Sequence, residues 1–68
     1  SGRPALTARE SEIVGLLAEG LGNRQIAQRL FVTEATVKTH LVHIFAKLGV
    51  DSRTAAVAAA VQQGLIRR

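Results

Sequence analysis

The stretch TEATVKTHLVHIFAKLGV, Thr33 to Val50, is patterned as one helix with two unlike faces. At about 100° per residue, Val37, Leu41, Ile44, Phe45 and Leu48 fall on one stripe. That stripe is a core. Ala35, Thr39, Val42, His43 and Ala46 fall on the opposite side, small or polar apart from one valine. A chain that folds and acts alone has little use for such a second face, so it points to something outside the domain.

Helical punctuation continues on both sides of this stretch. Thr7 precedes Glu10 by three residues, the spacing of a capping box, and Ile13, Leu16 and Leu17 mark the buried side of a first helix running to Gly20. Asn23 is placed to cap a short second helix, Arg24 to Leu30, whose Ile26, Ala27 and Leu30 share one side. FVT then interrupts the pattern. Thr33 can cap the third helix, from Glu34 to about Leu48, and the glycine of LGV supplies its stop. Ser52 can cap a fourth, Arg53 to Gln63, ended by Gly64. There is no alternating strand pattern, internal repeat or low-complexity tail, so the fold class is all-α. The junction of about three residues between helices two and three suits a helix-turn-helix better than an antiparallel hairpin.

With 68 residues the chain is one small domain, and with no cysteine its stability must come from helix packing. No apolar run approaches the length of a membrane span and no signal-peptide pattern opens the chain, so a soluble, cytoplasmic protein is expected. Residues 1–5 are expected to be linker, disordered or appended, with the folded domain over 6–68. The net charge of +4 is unevenly spread: residues 1–23 carry −1, whereas everything from Arg24 onward carries +5. Such a bias favours an anionic partner, most simply nucleic acid.

The motifs LT.RE from Leu6, G..N..IA..L from Gly20, TVK.H...I..KLGV from Thr36 and the closing GLI jointly resemble the C-terminal DNA-binding domain of LuxR/NarL-type bacterial transcription regulators, over Leu6 to Ile66. The resemblance implies four helices, with the second and third forming the helix-turn-helix and the fourth pairing two domains on DNA. It also implies an N-terminal sensory or receiver domain, and none lies within these 68 residues. Two departures stand out. Phe31 occupies the place after the second helix where glycine is usual, and is expected to pack into the core. Val42 stands where some similar members carry a lysine.

A recognition helix buries one side on its own domain and leaves the other free for a major groove about 12 Å wide. On the third helix Lys38 can reach a guanine edge or a phosphate, Thr39 can donate, accept or offer its methyl, and Val42 can meet a thymine methyl. These three are the base-reading candidates. Asn23, Arg24, Thr33, Thr36, His43, Lys47 and Arg53 lie at helix starts or on flanks where they can hold phosphates. Asn23 and Thr33 can equally be only caps. Arg53 opens the fourth helix against the helix dipole, which an external anion would offset. On that helix Ala56, Val57, Ala60 and Val61 form the inward stripe, leaving Ala55, Ala58, Ala59 and Gln62 either as plain helix formers or as a surface for a second copy.

Other chemistry finds little support. His40 and His43 are too few ligands for a metal site, no cofactor motif is present, and Ser11 and Ser52 have no base to activate them. The expected function is therefore sequence-specific binding of double-stranded DNA at inverted or pseudo-inverted half-sites. A weak homodimer favoured on DNA is expected, with RNA polymerase a further candidate partner. The competing reading is a helix-turn-helix module that binds polymerase or another regulator as a protein.

Overall fold

Thr7 starts the first helix reciprocally. Its hydroxyl accepts from the Glu10 N–H at 3.1 Å, and the Glu10 carboxylate accepts from the Thr7 N–H at 2.8 Å. The structure, a computed structural model, describes residues 6–66. The expectation for residues 1–5 lies outside them. The described residues form α1 (Ala8–Ala18), α2 (Asn23–Leu30), α3 (Glu34–Leu48) and α4 (Arg53–Gln62), with no strand among them. The all-α class and the bounds of α3 agree with the sequence pattern.

Each helix ends alike. An N–H two or three residues past the helix reaches back to a carbonyl five residues earlier: Leu21 to Leu16 at 3.2 Å, Val32 to Ala27 at 3.0 Å, Val50 to Phe45 at 3.0 Å and Leu65 to Ala60 at 2.8 Å. This termination needs a left-handed residue at its corner. Gly20, Gly49 and Gly64 supply it for α1, α3 and α4, but in the helix-turn-helix junction Phe31 does so, with φ 60° and ψ 43°. Phe31 does not pack into the core; it is 94% exposed. The turn keeps the geometry a glycine would have taken, and that geometry leaves the ring in solvent.

α2 and α3 pack on each other, α1 packs against α4, and both of these also touch α3. Ile13, Val14, Ile26, Val37 and Ile44 are fully enclosed between them. Ala56 and Ala60 are equally enclosed, so α4 meets the core largely through methyl groups. Val57 joins them. Val61, expected on this inward stripe, is 37% exposed because the buried arc of α4 centres on Ala56 and Ala60, and Val61 lies about 120° around the helix from that centre.

The start of α2 also differs from expectation. Gly22, not Asn23, is the capping residue, and its N–H donates to the Gln25 side-chain oxygen at 2.9 Å. Asn23 is the first helical residue, and its side-chain oxygen accepts from the Arg53 guanidinium at the start of α4. A cation from a distant segment thus draws the amide away from its own helix end. No helix among the described residues is long and apolar enough to cross a membrane.

Candidate nucleic-acid interface

α3 owes its position to a core that uses only one of its sides. Val37, Leu41, Ile44 and Leu48 are buried, Phe45 is half-buried against them, and the far side stands clear of the other helices. Thr33 opens the helix, its hydroxyl accepting from the Thr36 N–H at 3.1 Å and lying 2.9 Å from the Thr36 hydroxyl. Lys38, Thr39, Val42 and His43 are all exposed, as are Ala35 and Ala46 between them. Val42 is 66% exposed. The structure therefore brings the three candidate base readers onto one open face.

Thr39 is less free than its exposure suggests. Its hydroxyl donates to the Ala35 carbonyl at 3.1 Å. What it still offers outward is its methyl and the oxygen lone pairs.

The candidate phosphate contacts divide. Arg24, Thr33 and His43 are exposed, and Thr36 and Asn23 are half-buried. Arg53 faces Asn23, and its Nη1 is buried, so only part of the guanidinium looks outward. At this helix start Asn23 gives the guanidinium one neutral acceptor, while Nη1 has no hydrogen-bond partner. Lys47 is likewise engaged internally: its ammonium lies 2.7 Å from the Glu10 carboxylate, which is only 4% exposed. Burial pushes the Glu10 carboxyl up, but the Lys47 and Thr7 hydrogen bonds and the Lys47 charge outweigh it and hold Glu10 below its ordinary value.

This clamp between α1 and α3 is absent from the sequence reading, though a signal for it exists. Glu10 lies three residues before Ile13 and seven before Leu17, on the buried face of α1, and a carboxylate there requires a cation. Nothing in the local pattern says which one.

On α4, Ala58 and Gln62 are exposed and Ala55 is half-buried, while Ala59 packs against the core. Thr54 and Val61 join the exposed arc, which borders an apolar groove against Leu17 and Ala18 of α1. His40 sits half-buried at the core edge, and no cluster of metal-ligating residues occurs among the described residues.

A short α2, a tight left-handed turn and a longer α3 with one face free are the geometry of a helix-turn-helix. The GerE description, bacterial regulatory proteins of the luxR family, matches residues 4–60. The chain belongs to the luxR family of bacterial regulatory proteins. This luxR-family domain is 47% identical over 62 residues to the transcriptional regulatory protein LiaR of Bacillus subtilis, covering 91% of this chain and 29% of LiaR. It is also 47% identical over 57 residues to the DNA-binding transcriptional activator DevR/DosR of Mycobacterium tuberculosis, covering 84% of this chain and 26% of that protein.

Among solved structures, the response regulator ChrA of a heme-sensing two-component system superposes with a TM-score of 0.92 at 65% identity, over 97% of this chain and 33% of ChrA. The transcription factor GerE superposes with a TM-score of 0.84 at 35% identity, over 93% of this chain and 94% of GerE. The chain spans 7% to 29% of the curated relatives it matches. As a luxR-family helix-turn-helix domain, it is the DNA-binding part of a transcriptional regulator.

Proposed function

We propose that this domain is the output domain of a cytoplasmic two-component response regulator and acts by binding, without catalysis. It binds double-stranded DNA with α3 in the major groove, where Lys38, Thr39 and Val42 meet base edges. Arg24, Thr33, Thr36 and His43 hold the flanking phosphates. Asn23 and Arg53 fix the start of α2 against α4 and contribute at most a partial anion contact. Lys47 serves chiefly to clamp α3 to α1. A second copy pairs through the exposed arc of α4 around Ala58 and Gln62, with Ala55 on its flank, so that two domains read inverted or pseudo-inverted half-sites.

One observation carries the reading: every residue of α3 that could touch a base is exposed, while the core-facing stripe of the same helix is closed. The likeness to ChrA supports the response-regulator assignment.

Selection of bound duplexes from a random pool tests it, followed by titration against salt. The expected outcome is a recovered motif and an affinity whose logarithm falls with log salt by about 0.9 per phosphate neutralised. An affinity for protein partners that barely responds to salt, with no motif recovered, would instead mark the domain as a protein-binding module contacting polymerase or another regulator.

A further inference from the structure

The middle of the outward face of α3 has little capacity to hydrogen-bond. Ala35 and Ala46 contribute only methyls beside their backbone, and Val42 is 66% exposed between them. Thr39, the polar residue of this strip, has turned its one hydroxyl proton back onto the Ala35 carbonyl at 3.1 Å. The groups that could hydrogen-bond to bases or phosphates lie on its flanks, Lys38 one turn before Val42 on one side and exposed His43 on the other.

Such a face laid in a groove strips water from the base edges opposite it without replacing the lost hydrogen bonds, which is costly where those edges are polar. One group on the major-groove edge escapes that cost, the C5-methyl of thymine. An exposed branched side chain gains by covering it, since burying a methyl-sized group contributes about as much as burying one CH₂.

We propose that Val42 is a specificity-determining residue that selects thymine at one position of each half-site by packing on its C5-methyl. The assignment rests on the DNA-binding reading above. Lys38, next to it, sets the neighbouring base or phosphate contact, so the thymine lies within the stretch α3 covers and not in its flanks.

The test uses duplexes selected from a random pool by the chain as it stands, with each recovered thymine replaced in turn by uracil, which removes only the methyl. At one position per half-site the replacement should weaken wild-type binding about three- to tenfold. Val42→Ala, at an exposed position, should bind thymine and uracil duplexes there within about twofold of each other. 5-Methylcytosine in place of cytosine at that position should recover part of the affinity in the wild type alone. If the selected half-sites share no thymine, or if uracil weakens wild type and Val42→Ala equally at every position, the proposal is overturned. Recovery of no duplex at all is a separate result, because it removes the DNA-binding reading on which the assignment rests.

Discussion

Phe31 holds a backbone conformation that L-residues adopt at a cost of about 1–2 kcal/mol, and its exposed ring gains little in return from burial. Phe31→Gly should therefore raise stability by about 0.5–1 kcal/mol, read as a higher urea midpoint with an unchanged slope. A lower midpoint would show that the ring makes a stabilising contact after all. Lys38 is exposed at the edge of the open face of α3, so its truncation leaves the fold untouched. Lys38→Ala should weaken binding to a selected duplex by about 1–3 kcal/mol and relax the preference at one base pair. Equal losses on selected and random duplexes would make Lys38 a phosphate contact, and no loss in a folded variant would remove it from the interface.

The helices divide the labour between holding and presenting. α3 does both, because a core stripe of Val37, Leu41, Ile44 and Leu48 leaves more than half of its circumference outside. α4 does the same with smaller residues. Its buried arc of Ala56, Val57 and Ala60 leaves Ala58, Val61 and Gln62 facing out beside the groove against α1. Ala58→Glu should leave the monomer folded, since the position is exposed, but prevent two copies from occupying a full site cooperatively, because a carboxylate would be desolvated at the contact. Gel-shift titration on full and half-sites measures this: half-site affinity should stay within about twofold, while cooperativity on the full site disappears. Undiminished cooperativity would place the pairing surface elsewhere.

At the scale of the whole molecule, the Glu10–Lys47 pair fixes α3 to α1 across 37 residues of chain. Glu10 is more acidic in the folded protein than an ordinary glutamate, so its ionised form favours folding. Its contribution is complete above the unfolded carboxylate value and is lost as the pH falls through the lower folded value. Glu10→Gln should keep the Thr7 cap yet lower stability near neutral pH by about 1.5–3 kcal/mol, the range for a hydrogen bond to a charged group. It should also flatten the dependence of stability on pH in the acid range, as followed by urea denaturation from pH 7 down to pH 3. A variant with the wild-type pH dependence would show that the pair contributes nothing.

The four helices, their caps at Thr7, Thr33 and Ser52, and the free face of α3 were legible in the sequence, because capping and amphipathic periodicity act within a few residues. The same local rules suggested Asn23 as a cap and Phe31 as a core residue, and there tertiary structure decided otherwise. Arg53, thirty residues away, takes the Asn23 amide, and the left-handed turn that closes α2 points the Phe31 ring outward. Lys47 shows the same division. Its place on α3 is set by periodicity, but only the packing of α1 on α3 brings it to the buried Glu10 carboxylate and draws it away from a wholly external role. Local sequence determines which residues a helix can present, whereas the partners of its polar groups are chosen by whichever distant charge the fold carries into reach.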